Sequence, residues 1–219
     1  MNKQLLALLA IALAPVCAFA VDGVTLINES TVMAAGGFPY QITSVGSYQL
    51  SGNLVATSGK QAILVAANNV VLDLNGFNVS CSLGYSAGKQ FSNCVGDSGF
   101  SGVTDVSIRN GTVTLTQTQG APVEFLSTNI AVGFLFSTNL IIEELHIVAI
   151  NNAAMNQFAP AALEFGANSI VRHNIVTAIS GPTAVGASSG GGFFGSCPSL
   201  IEGSVNTPGG GLFWGTWVV

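Results

Sequence analysis

Apolar and polar residues alternate in short runs along this chain, and the runs recur about every thirty residues. Each copy begins with a small turn residue, continues with alternating apolar positions, breaks, and resumes as a second short apolar stretch. Glycine is abundant and a 3.6-residue period is missing, so the copies read as strands rather than helices. A strand repeat of this length predicts a solenoid. The five copies start at Asn69, Asp105, Asn139, Asn168 and Pro198.

The phase of the alternation predicts which side chains form the core. Side chains on a strand point alternately to opposite faces, and stacked strands repeat at about 4.8 Å. Asn and Asp at the copy starts suit a left-handed turn. We therefore expect ladders built from Ile63, Val65, Val70, Leu72, Leu74, Val106, Ile108, Phe134, Phe136, Leu140, Ile142, Leu163, Phe165, Val171, Phe193 and Ile201.

One segment resembles a known superfamily. Residues 63–77 read I-x-V-x-A-x-N-V-x-L-D-L-N-G-F; residues 46–54 precede them and residues 106–113 follow. This arrangement resembles the opening of secreted bacterial right-handed parallel β-helix proteins of the pectate-lyase-like superfamily. The resemblance covers roughly residues 42–207. It implies an all-β, right-handed parallel β-helix, a short solenoid of about five to six coils with an N-terminal cap.

The chain divides into four predicted segments. Residues 1–20 form a signal peptide, with Lys3, an apolar run over 5–14 and a small-x-small cleavage site at 18–20. Residues 21–44 form the N-terminal cap and residues 45–208 the parallel β-helix. Residues 209–219 form a C-terminal cap or a truncated coil. We expect export to the periplasm, the cell surface or the extracellular space. No transmembrane segment is predicted, because no stretch reaches about eighteen apolar residues.

Charge is scarce and mostly negative. Five Lys and Arg face ten Asp and Glu, and charged residues make up 7% of the chain, against about 25% in ordinary domains. A chain with so few Lys and Arg residues can neutralise few phosphates, which argues against a nucleic-acid partner. The surface must instead be rich in Ser, Thr, Asn, Gln and Gly. Such a surface suits a neutral polysaccharide, and a solenoid's turns also require it. The oligomeric state is left open.

The cysteines predict one disulfide. Cys81 and Cys94 bracket a Gly/Ser-rich excursion that interrupts the repeat, and export permits oxidation. Their pairing would close a loop of about fourteen residues and stabilise the fold by roughly 3 kcal/mol. Cys197 is then expected to be a free thiol. No C-x-x-C pair points to zinc.

One polar cluster is the candidate catalytic centre. Enzymes of the resembled superfamily work on an outer sheet face, where acidic residues hold calcium and an Arg or Lys acts on the sugar; its hydrolases use clustered Asp with a His and an Arg-x-Lys. This chain has no Asp-Asp pair and no Arg-x-Lys. No cofactor is predicted; the resemblance leaves calcium open, but no residue pattern supports it. The candidate acid/base residues are Glu143, Glu144, His146, Arg172 and His173. Strict alternation would separate Glu144 and His173 from Glu143 and Arg172, unless the strand ends or bulges.

A structural interpretation competes with the catalytic one. In a common register, one outward column alternates in sign at every coil, and opposite charges on neighbouring strands stabilise each other. Its members are Asp73, Arg109, Glu143, Arg172 and Glu202. The leading hypothesis is therefore a secreted, non-catalytic surface or carbohydrate-interacting module. One alternative is a polysaccharide lyase or glycoside hydrolase acting on the outer sheet face. Another is a truncated β-helix product without independent function.

Overall fold

The fold is all-β, with one short helix. The computed structural model of the protein describes residues 23–84, 91–98, 102–119, 128–152, 161–180, 193–195, 199–202, 205–207 and 217–218. The elements in chain order are β1 Val24–Ile27, α1 Glu29–Ala34, β2 Tyr40–Ile42, β3 Gly46–Leu50, β4 Leu54–Val55, β5 Ile63–Val65, β6 Val70–Asp73, β7 Asn78–Gly84, β8 Phe91–Gly96, β9 Val106–Gln119, β10 Thr128–Phe134, β11 Ile141–Asn151, β12 Ala161–Phe165, β13 Ile170–Arg172, β14 Ile175–Ser180, β15 Phe193–Gly195, β16 Ser199–Glu202, β17 Val205–Thr207 and β18 Trp217–Val218. The predicted signal peptide lies outside the described residues.

The strands form a twelve-stranded and a six-stranded sheet, and every strand pairing in the described ranges is parallel. The first ribbon of the large sheet runs β1-β3-β6-β9-β11-β13-β16-β18. The later halves of β9 and β11 pair instead with β7 and β14, so that β4-β7-β9-β11-β14-β17 form a second ribbon. The small sheet runs β15-β12-β10-β8-β5-β2. Along the chain the strands visit the first ribbon, the second ribbon and the six-stranded sheet in turn, and we call one such circuit a coil. This order is compatible with a β-helix-like solenoid.

The core lies between these sheets and confirms most of the predicted ladders. The predicted residues of β5, β6, β9, β11, β12 and β13 whose side chains are described are at most 2% exposed and share one cluster. Phe134 is buried with them, but the prediction for Phe136 was wrong, since it is 51% exposed. Strand β10 ends at Phe134, whose carbonyl accepts from Ser137 N at 3.0 Å. That turn carries Phe136 outward. The side chains of Phe193 and Ile201 lie outside the described residues.

The turns that start the copies adopt the predicted left-handed conformation. Asn69, Asp105, Asn139 and Asn168 have φ of 55°, 58°, 57° and 56°. They stack, because the backbone N–H groups of Asn69, Asp105 and Asn139 each donate to the carbonyl of the residue just before the next copy start. The Asp105 carboxylate accepts two side-chain bonds, from Thr104 Oγ1 at 2.6 Å and from Asn139 Nδ2 at 3.2 Å. Both bonds favour the ionised carboxylate and lower the pKa of Asp105, with the Thr104 bond the larger cause. Turn chemistry therefore fixes the coil repeat.

The predicted cap region contains the only helix among the described residues. Asn28 caps α1 by accepting from Thr31 N at 3.0 Å, and Thr31 Oγ1 in return accepts from Asn28 N at 2.8 Å. Val32 of this helix is fully buried and joins the core cluster. Strand β1, also within residues 21–44, already pairs with β3. The helix thus packs on the core at the end of the first ribbon.

Candidate functional site

The five residues of the predicted charge column lie in register on successive strands of the first ribbon. Arg109 pairs with Asp73 on one side and Glu143 on the other. Arg172 follows Glu143, and Glu202 follows Arg172. Because the copies start at stacked turn residues, the position four residues later falls in the same column each time. The side chain of Glu202 lies outside the described residues.

The described part of this column contains two separate ion pairs. Arg109 Nε lies 3.2 Å from Asp73 Oδ2. Arg172 Nε donates to Glu143 Oε2 at 2.7 Å, and its Nη2 is 2.6 Å from the same oxygen. Arg109 and Glu143 are register neighbours, but the structure records no ion pair between them. Each arginine is thus committed to the acid of the preceding coil.

A left-handed corner follows the column directly. Asn110, Glu144 and His173 have φ of 60°, 55° and 54°. A left-handed residue breaks the strict alternation of a strand, so Glu143 and Glu144 both point outward while Leu145 is buried. This corner is the physical reason that Glu144 and His173 stay on the exterior.

A buried asparagine holds the corner, and sequence reasoning missed it. Asn174 Oδ1 accepts from Leu145 N at 2.9 Å, and Asn174 Nδ2 donates to the Ile142 carbonyl at 2.8 Å. Its side chain is 1% exposed. The only sequence signal was its place in Arg-His-Asn, two residues after the column position Arg172. Asn174 satisfies two backbone groups that the corner removes from the ladder.

The five candidate acid/base residues therefore occupy three settings. Glu143 and Arg172 form the ion pair, and Glu144 and His173 lie exposed at the corner. His146 lies beyond the corner on the second ribbon, with Nε2 3.5 Å from Thr177 Oγ1. No group of three or more His, Cys, Asp or Glu in the described ranges could hold a metal ion. Stacking and turn geometry account for the positions of the other four, Glu143, Glu144, Arg172 and His173.

We call the outer surface of the second ribbon the hydroxyl face. Its inward residues, such as Val79, Val113 and Ile147, belong to the core, so the residues between them point out. Register places these outward residues in three columns. The columns are Asn78, Thr112, His146 and Ile175; Ser80, Thr114, Val148 and Thr177; and Ser82, Thr116, Ile150 and Ile179.

The hydroxyl face is neutral and partly apolar. Neighbours in a column are about 4.8 Å apart and neighbours along a strand roughly 6.6 Å apart. Thr114 Oγ1 donates to Asn78 Oδ1 at 3.2 Å, and Asn78 Nδ2 donates to Ser80 Oγ at 3.3 Å. Ile175 and Ile179 are 50% and 46% exposed. None of the twelve side chains carries a fixed charge. The sequence feature that indicates this face is the alternation of threonines in Thr112-Val-Thr-Leu-Thr116.

The predicted disulfide is confirmed, and it lies on the inner side of the ribbon that carries the hydroxyl face. Cys81, between outward Ser80 and Ser82, is bonded to Cys94 of the six-stranded sheet, with Cα atoms 5.6 Å apart. Both cysteines belong to the core cluster. The bond therefore joins the second ribbon to the sheet across the interior. Cys197, predicted to be free, lies outside the described residues.

Comparison with known proteins does not assign this chain to a family. No protein-family model matches the chain, and no curated protein or solved structure matches it either. Within the described residues, no helix is long and apolar enough to cross a membrane. The functional argument therefore rests on the residues themselves.

Proposed function

We propose that this protein is an exported right-handed parallel β-helix of the pectate-lyase-like type, and that it acts at a surface as a non-catalytic module binding neutral polysaccharide. The parallel coils and the sequence resemblance support the fold. The signal peptide predicted for residues 1–20 and the Cys81–Cys94 disulfide support export. The hydroxyl face is the proposed binding surface.

The observation that carries the binding proposal is the chemistry of the hydroxyl face. Ser and Thr hydroxyls both donate and accept hydrogen bonds, which matches the hydroxyls of a sugar. Ile175 and Ile179 add exposed apolar area beside Thr177, which suits the C–H faces of sugar rings. Exposed apolar patches rimmed by polar residues mark interaction sites. A face without fixed charge favours a neutral chain over a polyanion.

The charge column has a structural role in this proposal. Glu143 is held by Arg172, and Glu144 and His173 occupy the left-handed corner that Asn110 also occupies one coil earlier. Backbone strain often accompanies function, but here it repeats from coil to coil with different side chains. We therefore assign the corner to the fold and not to catalysis.

The test is a binding survey with an activity arm. The exported protein is applied to a glycan array and to insoluble neutral polysaccharides at low and high salt. We expect retention on at least one neutral glycan with little salt dependence, because the face carries no fixed charge. Binding to no glycan would refute the proposal. Release of new reducing or unsaturated sugar ends would replace it with the alternative, a polysaccharide lyase or glycoside hydrolase.

A further inference from the structure

Two buried oxygen atoms on the six-stranded sheet lack hydrogen-bond partners among the described residues. They are Oδ1 of Asn93 and Oε2 of Glu164, in side chains that are 5% and 4% exposed. Leaving a buried polar atom unpaired is costly, and leaving a buried carboxylate unpaired is costlier still. Both atoms are acceptors when Glu164 is ionised, so they cannot satisfy each other in that state.

The register brings the two side chains over one glycine. Glu164 of β12 pairs with Gly133 of β10, and Gly133 pairs with Gly96 of β8. Asn93 Nδ2 donates to the Gly133 carbonyl at 3.0 Å and to the Asp97 carbonyl at 3.3 Å. A Cβ on Gly133 would lie 2.5 Å from Asn93 Oδ1. The amide of Asn93 therefore occupies the space above Gly133, on the face from which Glu164 projects.

This space is within reach of Glu164. Strands β10 and β12 are neighbours, about 4.8 Å apart, and a glutamate side chain spans that distance. Leu163 and Phe165 point into the core, so Glu164 points to the opposite face, which is buried as well. We propose that the Glu164 carboxyl group is protonated in the folded protein and donates a hydrogen bond to Asn93 Oδ1, forming a pH-dependent latch between coils.

The charges around Glu164 favour the protonated form. Strands β10, β14 and β15 contain no titratable side chain. The acids and histidine of β11, Glu143, Glu144 and His146, lie on the exterior of the large sheet, and Arg172 of β13 is committed to Glu143. Asp97, after β8, accepts from Ser137 Oγ at 2.7 Å and is itself acidic. No cation among these elements faces Glu164 to stabilise its ionised form.

The pH dependence follows from burial. Desolvation raises the pKa of Glu164 to about 7. The stability that the neutral acid contributes is fully present below the unfolded-state value of about 4.3. This stability is lost as pH rises through about 7, because the folded protein must then either bury an ionised Glu164 without a partner or expose that side chain to water. The latch is thus closed in acid and open above neutral pH.

The first test is thermal unfolding of the exported protein between pH 5 and 8. Wild type should lose melting temperature as pH rises. Glu164→Gln should lose less, since its amide N–H donates to Asn93 Oδ1 at every pH. The matched control is Glu144→Gln, an exposed carboxyl that should keep the wild-type slope. A Glu164→Gln slope equal to that of wild type would overturn the latch.

The second test needs no variant. The ¹³C resonance of the Glu164 carboxyl should titrate near neutral pH, and the side-chain carbonyl resonance of Asn93 should move with the same midpoint. Titration of Glu164 in the ordinary glutamate range would contradict the proposal. An Asn93 resonance that ignores the Glu164 titration would contradict the pairing.

Discussion

Arg172 contacts Glu143 across one coil spacing through two nitrogens, Nε and Nη2, which both lie within 2.7 Å of the same carboxylate oxygen, Oε2. Glu202 is the next residue in register beyond Arg172. The arginine therefore lies in register between two acids, on the strand that separates their strands.

Reversing the charge of Arg172 should cost more stability than removing it. Arg172 is 42% exposed, so the pair should contribute only about 0.2–1 kcal/mol. Arg172→Glu would place a carboxylate between Glu143 and Glu202, adding repulsion that Arg172→Ala lacks. Thermal unfolding at low and high salt measures both variants. The difference between them should shrink at high salt; equal melting temperatures would mean that the column is not electrostatically coupled.

Removing the disulfide should destabilise the fold by about 3 kcal/mol. The double variant Cys81→Ala/Cys94→Ala unlinks the second ribbon from the six-stranded sheet, and denaturant unfolding measures the loss. Cys197→Ala removes the cysteine predicted to be free; it is the control and should cost less than the double variant. Non-reducing mass mapping of the exported protein should recover the Cys81–Cys94 peptide, whereas a Cys94–Cys197 link would overturn the pairing.

Gly133 should tolerate no side chain. A Cβ there would approach Asn93 Oδ1 to 2.5 Å and Cγ to 2.6 Å, and Asn93 is buried and hydrogen-bonded to the Gly133 carbonyl. Gly133→Ala should therefore cost about 1–3 kcal/mol as an overpacked substitution. Gly52→Ala is the matched control, since its Cβ would meet only Asn28 Cβ at an ordinary 3.7 Å. Equal stabilities of the two variants would show that Asn93 does not occupy this space.

Asn168 should be replaceable by glycine but not by valine. Its φ of 56° lies in the left-handed region, which glycine adopts freely and which costs other residues about 1–2 kcal/mol. Asn168→Gly should unfold near the wild-type temperature and Asn168→Val clearly below it. If valine were tolerated as well as glycine, the left-handed turn would not set the coil repeat.

The repeat predicted the parts of the fold that obey simple alternation. The buried columns and the stacked turn residues follow from apolar spacing and from Asn or Asp at each copy start. Phe136 broke the pattern because a turn after Phe134 intervenes. Glu144 and His173 broke it because left-handed corners add an outward position. Neither backbone feature is visible in the hydrophobicity of the residues concerned.

The hydroxyl face and the Glu164 site were harder to predict for different reasons. The threonines of β9 alternate visibly, but their significance depends on the register that aligns them with β7, β11 and β14. Glu164 is a lone acid in Ala-Ala-Leu-Glu-Phe, where alternation predicts an exposed side chain. Its burial depends on tertiary packing over the outer side of the sheet, which the local sequence does not encode.

The central claim, that the hydroxyl face binds neutral polysaccharide, is tested most directly by a pair of lysine substitutions on one strand. Thr114→Lys places a long cation in the middle of the face, while Ser107→Lys places the same side chain on β9 before the Asn110 corner. Binding isotherms are measured on the neutral polysaccharide that retains the wild-type protein best. The Kd of Thr114→Lys should be higher than that of wild type by at least about tenfold, or about 1.4 kcal/mol, whereas Ser107→Lys should bind with wild-type affinity. Equal affinities of the two variants, with both folded, would contradict the claim.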